Sequence, residues 1–468
     1  MTPTDVDLLI RNGYVITMDP DRTVYERGAV AVKGRAIVAV GRDHEVSSEV
    51  RAGRTIDADG APIHPGFVEC HNHVSLHLVR GAFGDSISWQ SVNDEFYVPY
   101  WNTVTDEEEH VASLLACVEM LRNGTTCFME AGSVFEPETA ATAAEAAGIR
   151  ALVADPFLWD VGGYTSDAPA VKRAPASTDH CLDILGTQLR RNDDPDALVR
   201  GHVAIVGMGS ATDELERAAK EVADAAGVVL NQHQSYCLDD VAGDDLRHGR
   251  HPLVHLDDIG VLGANCTFAH MNLLRDDEVA AVEQSGMSLA WAPQSSMIWG
   301  IGGTQHGHHL DFHRAGVNVA LGSDSSNWSN RFDIGQQAFL AVLSAREKER
   351  SRTALTAEDA LEMATINGAR AVGLEHLIGS LEVGKRADLV VRGNDVPEAH
   401  PTTSPLMQLV YSARDASVDT VVVDGRVVLE RRQPVLLDAA DVYRRADRAA
   451  RAVLDRMGYH VPRRWPHR

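Results

Sequence analysis

Residues 65–73 read PGFVECHNH, a short apolar strand that ends in two histidines separated by one residue. Side chains at positions i and i+2 of an extended segment point the same way. The imidazoles of His71 and His73 can therefore reach one metal ion. An H-x-H pair alone is a weak signal, so its meaning depends on the residues at the ends of the other strands of the chain.

Outward from this strand, short apolar strands alternate with helices about eight times. Thr105 and Glu108 form a capping box that opens one of these helices, and a strand from Thr125 to Met129 follows it. Repeated strand–helix alternation predicts a parallel sheet. Because a TIM barrel takes about 250 residues, we predict an α/β fold with a (β/α)8 TIM barrel over residues 63–381.

Both ends of the chain are rich in β-strand signals instead. Near the start, Leu8–Ile10 and Tyr14–Ile16 flank Asn12-Gly13, which predicts a hairpin turn. Strands with turn signals also occupy residues 387–429. The simplest arrangement joins the two ends. We therefore predict a composite β-sandwich domain formed by the N- and C-terminal segments, residues 1–62 plus 382–435, and a C-terminal helical extension at residues 436–468.

The composition is that of a folded acidic protein, with 468 residues, 44% hydrophobic and 24% charged residues, and a net charge of −24. Such a balance argues against nucleic acid or an acidic membrane surface as a partner. The six cysteines have no paired spacing and read as free thiols of a reducing compartment. The first residues do not resemble a signal peptide, and no apolar run reaches the roughly 18–20 residues of a membrane helix. We expect a cytoplasmic protein without a membrane partner.

The residues that suggest chemistry come just after predicted strands. His233, His270 and Asp324 each follow a strand, as His71 and His73 do. Active sites of TIM barrels lie at the carboxyl ends of the strands. Imidazoles with one carboxylate suit zinc, iron or cobalt. Histidines of an ordinary core or surface would not fall at strand ends in this order.

At this point the sequence resembles the amidohydrolase superfamily, and within it the branch of triazine hydrolases and guanine, cytosine and S-adenosylhomocysteine deaminases. The motifs that carry the resemblance are PGFVECHNH at 65–73, LVRG at 78–81, ACVEMLRNGTT at 116–126, AGVNVALGSD at 315–324, ATINGAR at 364–370 and GSLEVGKRADL at 379–389. They cover nearly the whole chain. They are specific to the superfamily and not to a substrate.

The resemblance implies one divalent metal ion, zinc in the first place and iron or cobalt otherwise. Its ligands would be His71, His73, His233 and Asp324, with His270 beside the metal as a further ligand or a hydrogen-bond donor. Asp324 would act as general base and then as general acid. Such an enzyme hydrolyses a carbon–nitrogen bond.

Binuclear members of the superfamily bridge two metals through a carbamylated lysine at a strand end. No lysine follows the strands at 151–155 or 203–207, so one metal is expected. Glu130, at the end of the second strand, is a spare carboxylate that we expect to be structural.

The sequence departs from the family pattern at three places. Tyr236 stands where deaminases of this branch carry the glutamate of H-x-x-E. Residues 207–210 read GMGS in place of a histidine-containing stretch, and Trp291 replaces a histidine. Two outcomes stay open. The substrate is an amide, urea or carbamate whose carbonyl the metal polarises, or His270 or Tyr236 supplies the proton to a heterocycle.

Aromatic side chains after the strands predict a flat or apolar substrate. The aromatic residues in these segments are Trp89, Tyr97, Tyr100, Trp101, Trp159, Trp291, Trp299 and Trp328. About half of such residues pack loops against helices instead of contacting a ligand. The predicted substrate contacts are His77, Arg80, Trp89, Trp101, Trp291, His308 and His309.

We therefore predict a metal-dependent hydrolase that cleaves a non-peptide C–N bond of a small, aromatic or heterocyclic molecule, with Asp324, His270 and Tyr236 as catalytic residues. One alternative is a chlorohydrolase or other dehalogenase of an N-heterocycle, which differs only in the leaving group. Another is a scaffold without catalysis, which the missing glutamate alone supports. A homodimer or higher homo-oligomer is expected by resemblance and because symmetric dimers are common.

Overall fold

A computed structural model describes residues 3–85, 87–161, 171–175, 177–463 and 465, without the side chains of Trp89, Gln90 and Asp244. The strands are β1 (Thr4–Ile16), β2 (Val24–Lys33), β3 (Ala36–Arg42), β4 (Val50–Asp57), β5 (Pro62–Pro65), β6 (Phe67–His73), β7 (Thr125–Glu130), β8 (Arg150–Val153), β9 (Val199–Gly201), β10 (Val203–Gly207), β11 (Leu230–Gln234), β12 (Cys266–His270), β13 (Ser288–Trp291), β14 (Asn318–Leu321), β15 (Asp324–Ser325), β16 (Leu389–Arg392), β17 (Val418–Val423), β18 (Arg426–Glu430) and β19 (Gln433–Pro434).

The α-helices are α1 (Asp43–Glu49), α2 (Trp89–Val92), α3 (Val98–Trp101), α4 (Asp106–Arg122), α5 (Pro137–Ala147), α6 (Thr178–Ile184), α7 (Asp213–Ala226), α8 (Leu238–His248), α9 (Pro252–Asp258), α10 (Asp276–Ser285), α11 (Pro293–Ile298), α12 (Gly303–His306), α13 (His309–Ala315), α14 (Ile334–Glu349), α15 (Ala357–Ala364), α16 (Ile366–Ala371), α17 (Pro405–Tyr411) and α18 (Ala439–Met457). Short 3₁₀ helices lie at Val74–Val79, Thr187–Asp193, Pro397–Ala399 and Asp415–Ser417, and a π-helical turn lies at Asn93–Tyr97.

A nine-stranded sheet takes its strands from both ends of the chain. Its order is β19-β18-β17-β16-β5-β1-β2-β3, and β4 pairs with β1 on the side. The two ends meet where β5 and β16 pair antiparallel, with Ile63 opposite Val391. The alternating apolar residues of these strands pack into one buried cluster that includes Ile10, Val30 and Leu389.

The predicted hairpin at Asn12-Gly13 is wrong, because β1 runs straight through these two residues. The pairing register with β2 shifts on either side of Gly13, and Asn12 has a positive φ of 53°. Two tertiary contacts hold this bulge within the strand. The Asn12 side chain donates to Asp57 at 2.9 Å, and its backbone N–H donates to Asp43 at 3.2 Å. These contacts come from residues that are distant in sequence, so the turn signal was outweighed by tertiary contacts.

The middle of the chain forms two five-stranded parallel sheets, ordered β10-β11-β12-β13-β14 and β15-β6-β7-β8-β9. Residues 199–207 and residues 318–325 each pass from one sheet into the other. Helices follow most of these strands, as the alternation predicted, so the fold is mixed α/β. Because the strands within each sheet are parallel, their carboxyl ends gather at the same edge.

A buried ion pair ties the parallel strands to the nine-stranded sheet. Arg150 of β8 donates to Asp388 at 2.9 and 3.1 Å and to Asp424 at 3.1 Å. The side chains of Arg150 and Asp388 are only 3% and 1% exposed. At the other end of the chain, α18 packs against α4. None of the described helices has the length and apolar character needed to span a bilayer.

Candidate active site

Five predicted site residues come together at the carboxyl ends of the parallel strands. His71 and His73 end β6, His233 lies in β11, His270 ends β12, and Asp324 begins β15. Ligand atoms of His71, His73 and His233 all lie within 4.8 Å of one another, and the same holds for His71, His270 and Asp324. The strand-end placement predicted from sequence thus brings all five into one cluster.

The hydrogen bonds of His73 and His233 fix which ring nitrogen carries the proton. The Ser133 hydroxyl donates to Glu130 at 2.5 Å, so it accepts from Nδ1–H of His73 at 2.7 Å. Nδ1–H of His233 donates to the carbonyl oxygen of Val206 at 2.6 Å. Both rings therefore turn an unprotonated Nε2 inward, and these two Nε2 atoms lie 3.0 Å apart. Two lone pairs at this distance repel unless a cation lies between them.

His71 and His270 complete the group of imidazoles. His71 is fully buried, and neither of its ring nitrogens has a hydrogen-bond partner. Burial and the neighbouring histidines lower the pKa of His71 and His270 well below the usual value for histidine, and burial lowers that of His233 to about 4. These rings are therefore neutral at pH 7, the form in which imidazole binds a metal.

The Asp324 carboxylate lies beside the same group of imidazoles. Its Oδ1 lies 3.6 Å from Nε2 of His73 and 3.9 Å from Nε2 of His71. Its Oδ2 accepts a hydrogen bond from the Ser295 hydroxyl at 2.6 Å. Burial raises the pKa of Asp324 to about 7. A carboxyl group with such a pKa can both accept and release a proton near neutral pH.

Glu69 connects the histidine strand to the segment that carries Asp324. Its Oε1 accepts hydrogen bonds from the backbone N–H of His71 at 3.2 Å and of Ser323 at 2.8 Å. Burial raises the pKa of Glu69 to about 8. This side chain fixes the relative position of β6 and Asp324.

The backbone at the site is held in left-handed conformations. His270 has a φ of 71° and Asp324 a φ of 62°. This conformation costs free energy for non-glycine residues, and such residues cluster at functional sites.

His309 donates from Nε2 to the carbonyl oxygen of His270 at 2.7 Å, and Trp291 stacks on the His309 ring with the ring centroids 4.7 Å apart. These two predicted substrate contacts lie behind His270 and hold it in place.

A cavity of about 120 Å³ opens in front of the histidines. Its described lining residues are His73, Leu76, Asn93, Tyr97, Val98, Trp101, Ala131, Ser133, Phe157, Trp159, Val206, Gly207, Met208, Ser210, His233, Tyr236, His270, Asp324 and Trp328. A single water needs about 10–15 Å³ by this measure, so the cavity has room for a small molecule. Among these lining residues, Asp324 is the only carboxylate, and none is a lysine or an arginine.

Four of the aromatic residues singled out from the sequence line this cavity: Tyr97, Trp101, Trp159 and Trp328. Tyr236, the residue in the place of the family glutamate, lines it as well, and its hydroxyl lies 3.4 Å from Ser295 Oγ. Burial raises the pKa of Tyr236 well above its usual value, so its hydroxyl stays protonated.

The other predicted substrate contacts lie elsewhere. His77 and Arg80 both contact Glu119, each at 2.7 Å, and neither lines the cavity. His308 pairs with Asp311 at 3.2 Å. The side chain of Trp89 lies outside the described residues.

Ser133, Ser295 and Glu69 contact the metal-ligand candidates or the residues beside them, and sequence analysis did not single them out for this role. The only signal was that Ser295 belongs to a Pro-Gln-Ser stretch directly after a strand. Glu130, expected to be structural, accepts from the Gly132 N–H and from the Ser133 hydroxyl. It orients His73 through Ser133.

Comparison with known proteins identifies the family to which this chain belongs. The model of the amidohydrolase family matches residues 63–428. The chain belongs to the amidohydrolase family. This confirms the resemblance seen in the sequence motifs. It also confirms the prediction of an enzyme that hydrolyses C–N bonds other than peptide bonds.

Among curated amidohydrolase relatives, a 5-methylthioadenosine/S-adenosylhomocysteine deaminase of Syntrophobacter fumaroxidans is 32% identical over 97% of this chain and 100% of its own length. A 5'-deoxyadenosine deaminase of Methanosarcina mazei is 30% identical over 96% of this chain and 99% of its own. Among solved structures, a zinc-bound adenosine deaminase from Xanthomonas campestris superposes with a TM-score of 0.89 at 28% identity, covering 97% of this chain and 100% of that one. The chain therefore spans almost the whole length of these relatives and shares the fold of the adenosine deaminase.

Proposed function

We propose that this amidohydrolase uses one divalent metal ion to hydrolyse a C–N bond of a small, neutral and flat aromatic or heterocyclic molecule. The observation that carries the proposal is the pair of unprotonated Nε2 atoms of His73 and His233, 3.0 Å apart beside Asp324. They lie at one end of a cavity with aromatic walls.

The donor set fits a transition metal. His71, His73, His233 and Asp324 would hold the ion, with His270 as a further ligand or as a hydrogen-bond donor to the substrate. Buried neutral imidazoles, of which His71 has no hydrogen-bond partner, together with one carboxylate, favour zinc, and iron or cobalt fit the same donors. When bound, a divalent ion activates water for attack and polarises a carbonyl or ring carbon as a Lewis acid.

The protein's own groups then handle the proton. Asp324 lies where it can take a proton from the attacking water and deliver it to the leaving nitrogen. The Ser295 hydroxyl holds Asp324 from the opposite side at 2.6 Å. Tyr236 stays protonated and can donate a hydrogen bond to the substrate, but its pKa makes it a poor proton donor.

The cavity restricts the substrate. Aromatic walls formed by residues such as Trp101, Phe157 and Trp328 favour a flat ring. A charged group on the substrate would find no lysine or arginine among the described lining residues, and its burial without a partner would be costly.

The proposed C–N cleavage has two candidate forms, which differ in the bond that is cleaved and in the leaving group. Because the cavity offers no second carboxylate among its described residues, we propose cleavage of an amide, urea or carbamate, whose carbonyl needs no prior protonation. The second candidate is release of ammonia from a heterocycle, and the deaminases that share up to 33% identity with this chain support it. Loss of halide would use the same attack with a different leaving group.

The experiment is a substrate panel on protein of known metal content. Neutral aryl amides, ureas and carbamates, amino-heterocycles and chloro-heterocycles are incubated with the enzyme, and amine, ammonia and chloride are measured. Asp324→Asn serves as the inactive control. Amine release that Asp324→Asn abolishes supports the first form, and ammonia alone supports the second. Chloride alone would overturn C–N cleavage, and protein without metal after reconstitution would overturn the metal-dependent reaction.

The structure also supports two further proposals, one on the architecture and one on the cellular compartment. The two parallel sheets, joined through residues 199–207 and 318–325, would close the (β/α)8 barrel, and the nine-stranded sheet would form the composite β-sandwich. The six cysteines are buried and unpaired, as in a protein of a reducing compartment, which supports action in the cytoplasm. A homodimer stays a prediction.

A further inference from the structure

A second cluster of metal-ligating side chains lies on the outer side of the strand that carries His233. Asp213 is the first residue of α7, His248 is the last residue of α8, and His255 lies in α9. Ligand atoms of these three residues all lie within 4.8 Å of one another. None of the three lines the cavity of the candidate active site.

The contacts within this cluster leave nitrogen atoms available. His255 Nε2 lies 2.7 Å from Oδ1 of Asp213, and the rings of His248 and His255 stack at 3.8 Å. Among the described residues, no hydrogen bond or ion pair engages a ring nitrogen of His248. Arg217 lies near the other carboxylate oxygen, with Nη2 3.7 Å from Oδ2 of Asp213.

A buried polar group points to a ligand at the same place. The three residues line a cavity of about 20 Å³ together with Glu216 and Gln234. Gln234 is only 2% exposed, and its Oε1 is buried without a hydrogen-bond partner. Because side chains alternate along a strand, Gln234 faces away from His233 and the active site. A buried oxygen without a partner is costly, and a cation in this cavity would satisfy it.

We propose that Asp213, His248 and His255 form a second metal site of the zinc class, with Gln234 Oε1 facing the ion. Two imidazoles and a carboxylate are ligands that zinc accepts in a tetrahedral arrangement. The cavity holds about one water-sized sphere, since such a sphere needs about 10–15 Å³. An ion there joins α7, α8 and α9 to β11, on the outer side of the active-site wall.

The test counts zinc ions in four proteins: wild type, His248→Ala, the double variant His248→Ala/His255→Ala, and the control His44→Ala. His44 is a histidine on α1 whose side chain is 79% exposed. Each protein is equilibrated with Zn²⁺, freed of excess ion by gel filtration, and analysed for metal. We expect one equivalent less in the double variant than in wild type and His44→Ala. Activity on any substrate found by the panel remains, because the varied residues are outside the active site.

A thermal readout covers the case in which the double variant folds poorly. Added Zn²⁺ is expected to raise the melting temperature of wild type, and to raise that of His248→Ala less. Equal zinc content in wild type and the double variant, or an equal thermal shift in wild type and His248→Ala, would overturn the second site. The result is separable from the proposed function. If the active site bound no metal, wild type would hold one equivalent and the double variant none.

Discussion

The Nε2 atoms of His73 and His233 face each other at 3.0 Å, and each ring has its proton on the opposite nitrogen. Ser133 sets the proton position in His73, and the carbonyl oxygen of Val206 sets it in His233. The protein therefore arranges two electron pairs at one point before any ion arrives. Removal of the ion should leave a destabilising repulsion.

The first prediction concerns metal removal. Chelation should lower the melting temperature of the wild type, because an ion that binds only the folded state stabilises it. Returning the metal should restore it. His233→Ala should respond much less, since one ligand and the opposing lone pair are both gone. Calorimetry with and without chelator measures the difference. An equal response in wild type and His233→Ala would contradict a metal at this point.

The second prediction concerns Ser133. Ser133→Ala removes the hydroxyl between His73 and Glu130, so the His73 ring is free to turn or to move its proton. Loss of such a supporting contact typically lowers metal affinity about 10–100-fold. Competition with a zinc chelator measures the affinity. Ser113→Ala is the matched control, because its buried hydroxyl donates to a carbonyl of its own helix at 2.8 Å. Similar affinities in both variants would argue against the Ser133 contact.

The third prediction concerns Ser295. Ser295→Ala removes a hydrogen bond to the Asp324 carboxylate. Such a bond contributes about 1.5–3 kcal/mol, so we expect kcat to fall roughly 10–100-fold while the metal content is unchanged. Steady-state kinetics with a substrate from the panel would measure this. Ser344→Ala, whose hydroxyl donates to its own helix at 2.8 Å, should keep normal kcat. A large loss of metal in Ser295→Ala would show that Ser295 supports the metal site instead.

The fourth prediction concerns Gly207. It has a φ of 81°, and a Cβ there would collide with the carbonyl oxygen of His233. Gly207→Ala should displace the end of β11 and reduce metal affinity. Gly227→Ala is the control, because Gly227 also has a positive φ, of 62°, but open space around it. Both variants should lose stability from backbone strain. Only Gly207→Ala should lose metal binding, and the idea fails if the two bind metal equally.

The fifth prediction concerns Arg150. Arg150→Met leaves Asp388 as a buried charge without its partner, which should cost about 3–5 kcal/mol of unfolding free energy. Arg35→Met breaks an ion pair in which the arginine side chain is 47% exposed, and should cost about 0–1 kcal/mol. Urea unfolding at constant pH compares the two. Equal effects would mean that the Arg150 pair adds little to the stability of the protein.

The sequence allowed prediction of features that depend on local pattern. The short strand predicted within residues 65–73 is present as β6, Phe67–His73, and the capping box of Thr105 and Glu108 is present. The metal-ligand candidates were found because each lies at or just beyond the carboxyl end of a predicted strand, and parallel strands end at one edge.

The sequence did not allow prediction of contacts between distant segments. Arg80 could serve substrate or structure from its position alone, and only packing reveals that it contacts Glu119. The role of Ser133 depends on its meeting His73, which lies 60 residues earlier. Likewise, the turn signal at Asn12 was overridden by Asp43 and Asp57. Such pairings depend on tertiary packing, which no local pattern records.

The nine-stranded sheet has a consequence for biosynthesis. Strand β5 pairs with β16, which the ribosome makes more than 300 residues later. The N-terminal strands therefore leave the ribosome long before β16 is available to pair with β5. During this interval β5 presents an unpaired edge, the kind of surface that pairs with other chains. A chain that stopped before residue 389 would lack β16 and also Asp424, one of the two carboxylates that hold Arg150. Release of an incomplete chain should therefore lead to aggregation instead of a partly active enzyme.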